Sequence, residues 1–495
     1  MTGRSAAIQA LLNPCSVVHV GASETGLYPA GIFGSLAASD IELFAVNPNR
    51  ESVFGRHCYQ SIRDLPLVPD LAMITVDRRR VGAVLADCAD AGIKSAVVVS
   101  SGFAEAGGEG AAFQKELESF SSSHAVSHDS PILILGPNCA GFANVPRKLI
   151  ATRLAGMCRV GGISFVSQSG ALMMALHGSF AAKGAGLRYL VSVGNQLDLS
   201  AEDLLTFFAD DPGTRVSAAF LESVKDGRAF IRALESNLRA NKPVVLVKAG
   251  RTDTGSALAA THTAAAAGAS RVFEAVCAQY GAILVDDIDD LVSTALLFDS
   301  LGAAPCRRIA WITQSGGLGS LLGDHAHLAG MTPLPFSGDL QKVLRERELV
   351  PEYQTILNPV DLRGESMRGT VIRESLEPFA QSGEVDCIGI LFAKSPYRPI
   401  EAETARTLAV LREEYGKPIV VVWVGNTQAS YLEGAVPDPS SGGAAPVSAI
   451  DLLRGTGIPV FFQAGEVVRA LSRVVRYREF RCAWLAGQEG AHAAL

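Results

Sequence analysis

The sequence predicts a doubly wound α/β protein built as three successive units. Three observations carry this. Short runs of β-branched and aliphatic residues alternate with amphipathic stretches along almost the whole chain. The runs are apolar throughout rather than alternating, so the strands are buried on both faces, as in a parallel sheet covered by helices. The chain has 495 residues, of which 48% are hydrophobic. That length fits about three domains of roughly 150 residues, each with a full core.

The first unit spans residues 1–140. Its strands are read as SVVHVGAS (16–23), ELFAVNP (42–48), LAMITVD (71–77), SAVVVSSG (95–102) and ILILGPN (132–138). Each ends in glycine, serine, asparagine, proline or aspartate, which turn the chain. Helical stretches such as RVGAVLADCADAG (80–92) lie between them. His19, inside the first strand, reads as a core or edge residue.

The rest of the chain repeats itself. GISFVSQSGALMMAL (162–176) matches RIAWITQSGGLGSLL (308–322), KPVVLVKAGRT (242–252) matches KPIVVVWVGNT (417–427), and YGAILV (280–285) matches TGIPVF (456–461). The order is the same in both halves, which predicts two related flavodoxin-like domains at 141–300 and 303–480. LGAAPC (301–306) is the linker, 433–448 a turn-rich loop, and 481–495 a tail. The copies differ where chemistry would sit. The first has Glu222 after the strand AAFLESV and His262 after AGRT. The second has Phe392 opposite Glu222 and no histidine after VGNT.

Composition excludes some functions. A formal net charge of -7 argues against a nucleic-acid footprint. Nine scattered cysteines form neither C-x-x-C pairs nor a disulfide framework, so reduced thiols are expected. No apolar run reaches membrane-spanning length, and the N-terminus has no signal-peptide pattern. A soluble, cytoplasmic protein without a metal site is expected.

A candidate site follows from strand ends. In VSQSGALMM (166–174) a strand runs into a turn of Ser167, Gln168, Ser169 and Gly170, and then into a helix. Free N–H groups at a helix start attract anions, and serine and glycine permit close approach. Strand C-termini in doubly wound sheets share one edge, so Glu222 and the His262 loop belong there too. A histidine, a carboxylate and an anion seat suit a phosphorylated histidine, with the acid fixing the ring tautomer. Small residues around the ring, A-A-T-H-T-A-A-A-A-G-A (259–269), leave room for bulky partners. Taken singly, Ser-Gln-Ser-Gly is also an ordinary helix cap, and Glu222 an ordinary solvent-facing acid. The turn is not G-x-S-x-G, which excludes a serine hydrolase elbow.

Ten motifs occur in order: VGAS (20–23), AVNPN (45–49), SGFAEAG (101–107), GPNCAG (136–141), VSQSGAL (166–172), SVGNQLD (192–198), LESVKDG (221–227), KAGRT (248–252), ATHTAA (260–265) and NPVDL (358–362). Together they resemble the α-subunit side of the NDP-forming acyl-CoA synthetases, the superfamily of succinyl-CoA synthetase and ADP-forming acetyl-CoA synthetase. The resemblance spans residues 8–480. It implies that the first unit is a Rossmann-like CoA-binding domain. Gly21, Ala22 and Ser23 would cradle a CoA phosphate, Asn47, Pro48 and Arg50 would flank the adenosine end, and Asn138 would lie near the thiol. It also implies that His262 carries a phosphoryl group, that Glu222 orients it, and that SVGNQLD lines the acyl pocket. The implied reaction is reversible. A carboxylic acid becomes an acyl phosphate, and CoA then takes the acyl group.

The sequence departs from the family in two places. His262 is followed by Thr263-Ala264-Ala265 where the family often has T-G-A, and Val76 by Asp77-Arg78-Arg79 where it often has P-A. The first loop is not G-x-G-x-x-G and the second strand ends in Asn47 rather than an acid, which weighs against an NAD-dependent oxidoreductase. The chain leaves no room for an ATP-grasp domain. An α subunit is therefore expected, paired with an ATP-grasp β subunit in an α2β2 assembly. The β subunit would bind ATP or GTP with Mg. The competing expectation is a non-catalytic CoA- or acyl-CoA-sensing module on the same fold.

Overall fold

The computed structural model describes residues 3–127, 131–252, 254–255, 270–302, 304–362, 364–393, 402–425 and 449–493. The chain divides into two compact units, Met1–Ala181 with Gly186–Leu291, and Ala182–Ala185 with Val292–Leu495.

In the first unit, β1 (Ser16–Val20), β2 (Glu42–Val46), β3 (Ser52–Val53), β4 (Arg56–Tyr59), β5 (Leu71–Ile74), β6 (Ser95–Val98) and β7 (Leu133–Leu135) form one sheet. Their order is β3-β4-β2-β1-β5-β6-β7. All pairs are parallel except β3–β4. β1, β5 and β6 are buried along their whole length, as their apolar runs require. The strands stop earlier than the sequence runs suggest. Val20, Ile74 and Val98 are the last strand residues, and the motif residues beyond them form edge loops. Gly21 shows why, because its φ of 88° lies outside the strand region. The β3–β4 hairpin, turning at Phe54 and Gly55, was not expected, since R-H-C-Y carries no apolar run.

The second sheet contains β8 (Phe142–Asn144), β9 (Leu149–Ala151), β10 (Val160–Ser167), β11 (Leu187–Ser192), β12 (Val216–Leu221), β13 (Val244–Lys248) and β14 (Ile283–Val285). The order is β14-β13-β12-β10-β11-β8-β9. The first two sheets share one apolar core, in which Val17 and Leu71 join the same cluster as Val166, Tyr189 and Leu204. They therefore belong to one compact unit. The opening helix, Gly3–Leu12, adds polar ties to the second of them. Arg4 pairs with Asp198 (2.9 Å) and Asp203 (3.1 Å), and Ser5 Oγ donates to Asp210 (2.7 Å).

The second unit holds β15 (Ile309–Thr313), β16 (Val360–Asp361), β17 (Cys387–Ala393), β18 (Ile419–Val424) and β19 (Val460–Phe461), all parallel, in the order β16-β15-β17-β18-β19. The five parallel strands β11-β10-β12-β13-β14 repeat that order. Both are the flavodoxin-like arrangement.

The ladders correct one match between the copies. Ser167 pairs with Phe220, and Thr313 pairs with Leu391. One step on, Leu221 corresponds to Phe392, and Glu222 to Ala393. The motif comparison alone is one residue out. Two boundaries also differ from expectation. The helix Ile288–Leu301 crosses into the second unit at Val292. The helix Ala464–Ala493 runs on through the expected tail, because no proline interrupts it. Among the described residues, no helix is long and apolar enough to cross a membrane.

Candidate active site

The site is built on the C-terminal edges of the first two sheets. Gly21 opens the loop between β1 and the helix Leu27–Ala37. A Cβ there would lie 3.0 Å from Val76 Cγ1 and 3.1 Å from the Thr75 carbonyl. Only glycine passes, and the loop stays tight against β5. Asn47 Nδ2 donates to the Ala22 carbonyl (2.9 Å), and its Oδ1 accepts from Asn49 N–H (3.0 Å). Its amide therefore shapes the loop. Ser23 accepts from Thr25 N–H (3.1 Å). A tight glycine turn leading into a helix start fits a phosphate-bearing ligand such as CoA.

A cavity of about 1010 Å³ lies beyond this loop, lined by Thr75–Arg79, Ser100–Gly102, Asn138–Ala140, Gln168–Ala171, Gly194–Asn195 and Glu222. Asn138 and Glu222 are thus brought together with the Ser169–Gly170 turn. Gly21, Ala22, Ser23, Asn47, Pro48 and Arg50 are not part of this wall. Asn138 has a φ of 55° and donates from Nδ2 to Asn195 Oδ1 (3.2 Å). Asn195 Nδ2 donates to Glu105 (2.6 Å) and Gln114 (2.9 Å), and Glu105 accepts from Gly102 N–H (2.6 Å). Three motif loops are sewn into one wall. Gly170 is needed here, because a Cβ would lie 2.9 Å from Ala140 Cβ. Cys139 also lines the cavity. Burial pushes its thiol to about 12, so it stays protonated and is no nucleophile at neutral pH.

Asp77, an unexpected acid in the family's pattern, caps the helix Arg78–Asp90 by accepting from Arg79 N–H (3.0 Å). Arg78 donates to the Gly102 carbonyl and pairs with Glu109, both at 3.1 Å. This departing stretch and Ser100–Ser101 line the cavity; the sequence reading missed the two serines, although SGFAEAG begins at the second.

The Ser-Gln-Ser-Gly turn is used differently from expectation. Ser167 is fully buried, and its Oγ donates to the Ser169 carbonyl (2.7 Å), so it shapes the turn. Gln168 commits its amide to backbone. Nε2 donates to the Ser223 carbonyl (2.7 Å), and Oε1 accepts from the N–H groups of Ser223 (2.9 Å) and Glu222. Ser167 has spent its one donor, and Gln168 uses both amide atoms on backbone. Ser169 begins the helix. Its carbonyl accepts from Met173 N–H (3.0 Å), and its Oγ accepts from Leu172 N–H (3.3 Å). Gly170 and Ala171 occupy the first helical turn, where N–H groups have no intrahelical acceptor. Ser169 and Gly170 place such a helix start on the cavity wall.

Lys248 ends β13 beside Leu221 of β12. Its Nζ donates to the Glu222 carbonyl (2.7 Å) and to the Ala249 carbonyl. Burial pulls its pKa below the usual lysine value, and the Glu222 charge works against that shift. His262 lies outside the described residues. Arg251 Nε donates to Glu274 (3.0 Å) on the helix Ser270–Gln279.

Residues 16–144 match the family model of a CoA binding domain, and residues 160–298 that of a succinyl-CoA ligase like flavodoxin domain. The alpha subunit of the ADP-forming acetate–CoA ligase I of Pyrococcus furiosus is 31% identical over 491 residues, covering 96% of this chain and 98% of that one. The chain belongs to the ADP-forming acyl-CoA synthetase family. It is an α-subunit-like chain of these acid–thiol ligases, with a CoA-binding domain at its start. A relative from Archaeoglobus fulgidus, the ADP-forming acetate–CoA ligase I, is 31% identical over 471 residues. The match covers 95% of this chain and 64% of that longer protein. The dinucleotide forming acetyl-coenzyme A synthetase 1 of Ca. Korarchaeum cryptofilum, solved with phosphate and ADP, superposes with a TM-score of 0.83. That pair shares 27% identity over 97% of this chain and 98% of the other.

Proposed function

We propose that this acyl-CoA synthetase chain moves a phosphoryl group on His262, with Glu222 orienting the ring. The observation that supports the reading is the convergence on one cavity of Glu222, the helix start at Ser169–Ala171 and the Asn138 loop. A carboxylate oxygen of the acid takes the phosphoryl group from the ring nitrogen. The P–N bond breaks, and an acyl phosphate forms. CoA supplies the thiol that receives the acyl group as phosphate leaves. The N–H groups of Gly170 and Ala171, with the Ser169 hydroxyl, hold the phosphoryl oxygens where negative charge gathers. The Gly21–Ser23 loop holds a CoA phosphate, Asn47 fixes that loop, and Arg50 with Pro48 flanks the adenosine end.

His262 receives its phosphoryl group from ATP or GTP, bound with Mg²⁺ on a separate ATP-grasp β subunit in an α2β2 assembly. The α-subunit name of the Pyrococcus relative supports the separate partner. Acetate, the acid in the names of the Pyrococcus and Archaeoglobus relatives, is the first to test.

The test is transfer of label from γ-labelled ATP to the chain together with its β subunit. Wild type should take label that acid removes and base does not, and His262→Asn should take none. Equal label on both would overturn the carrier role. No label on either, with CoA still bound, would leave a CoA-sensing module.

A further inference from the structure

Three side chains outside the reacting groups spend their polar atoms on the chain just past β12. Gln168 accepts from the N–H of Glu222 and of Ser223 and donates to the Ser223 carbonyl. Lys248 donates to the Glu222 carbonyl. Glu202 Oε1 accepts from Lys225 N–H (2.8 Å). All four main-chain polar groups of Glu222 and Ser223 therefore end on side chains. The strand cannot hold them, because β12 stops at Leu221. Gln168 is 7% exposed. Withdrawing an amide and an ammonium from water is costly, and apolar residues would fill the same space more cheaply.

The second flavodoxin-like domain serves as an internal comparison. Gln314 also bonds main chain there, but its Nε2 donates to the Ala393 carbonyl (3.1 Å), the counterpart of the Glu222 carbonyl that Lys248 holds in the first copy. The ladders match Lys248 to Trp423, because Leu221 pairs with Lys248 as Phe392 pairs with Trp423. The copy with alanine in place of the acid thus has a buried indole in place of the lysine.

We infer that Gln168 and Lys248 are positioning residues for phosphoryl transfer, which hold the Glu222 main chain so that its carboxylate keeps one place on the cavity wall. Lys248 also joins that chain to Ala249, from which the segment bearing His262 departs. The inference rests on Glu222 being the orienting acid.

The experiment measures the rate of phosphohistidine formation in the full chain with its β subunit. The variants are Gln168→Met, Lys248→Met, Glu222→Gln, and each of the first two combined with the third. Each single variant should be slower by about 100-fold, the scale of a 1 Å misplacement. Each double variant should be no slower than Glu222→Gln, because residues acting through one group do not add. CoA affinity, read by calorimetry, should be unchanged in both methionine variants. The clamp alone is overturned if Glu222→Gln is slow while both methionine variants run at the wild-type rate. It is also overturned if the double variants lose the product of the single losses, or if CoA affinity falls with the rate. Glu222→Gln at the wild-type rate removes the acid's role and the clamp with it. The two methionine variants are independent, so one that fails to fold leaves the other to decide.

Discussion

His19 shows how far one side chain can be forced from its solution behaviour. It is fully buried in β1, with Nε2 2.8 Å from Thr75 Oγ1 and its ring stacked 5.9 Å from that of Phe33. Nδ1 has no partner among the described residues. Burial drives its pKa down to about 3. The unfolded chain takes up a proton near the ordinary value of 6.5, and the folded chain does not. The unfolded state then holds more protons between those values, so stability falls as pH drops through that window. The loss from this residue should be about 1.4 kcal/mol between about pH 7.5 and about pH 5.5. Urea unfolding at those two values should give a shallower decline for His19→Phe than for wild type, even though the variant gives up the Thr75 bond. Equal slopes would mean that His19 takes up its proton in the folded state.

The loop from Gly21 to Gly26 is the element proposed to hold a CoA phosphate. Gly21→Ala puts a methyl group against the Thr75 carbonyl at a positive φ. Strain of about 1–3 kcal/mol has to be relieved by moving the loop. CoA affinity measured by calorimetry should weaken by about tenfold or more, since 1.4 kcal/mol is a factor of ten. Wild-type affinity in this variant would place the CoA phosphate elsewhere. Elements of this kind were legible in the sequence to different degrees. The apolar runs marked β1, β2, β5, β6 and β7, because strands buried on both faces need them. The β3–β4 hairpin was hidden, because a two-residue strand at a sheet edge needs no such run. Ser169 and Gly170 were legible as a helix start after a tight turn, where N–H groups are exposed. Ser167 and Gln168 were not, because nothing local says whether a side chain faces a ligand or the backbone of a distant strand. The counterpart of Glu222 needed the strand ladder, because similarity of motifs tolerates a shift of one residue and a sheet register does not.

At the scale of the whole molecule, the sequence repeat announced two flavodoxin-like domains. It could not announce that the first of them shares its core with the CoA-binding domain, because that depends on contacts far apart in the chain. The second unit has its own apolar cluster, running from Ala310 to Val460. Two separate cores predict two calorimetric unfolding transitions rather than one. CoA should raise only the transition of the first unit, by about 2.7 kcal/mol at a hundred times its dissociation constant. A single transition, or equal shifts of both, would count against independent cores.

The tie between the helix Gly3–Leu12 and the residues around 198–210 also bears on how the protein is made. Arg4 and Ser5 are translated about 200 residues ahead of their partners Asp198, Asp203 and Asp210. At roughly 5–20 residues per second, the opening helix waits about 10–40 s for its partners. For that time the nascent CoA-binding domain lacks the neighbour that shares its core, and the side of the helix that packs on the helix Ala201–Asp210 stays uncovered. Chaperones that bind apolar segments during synthesis therefore have an opportunity at this helix while it waits.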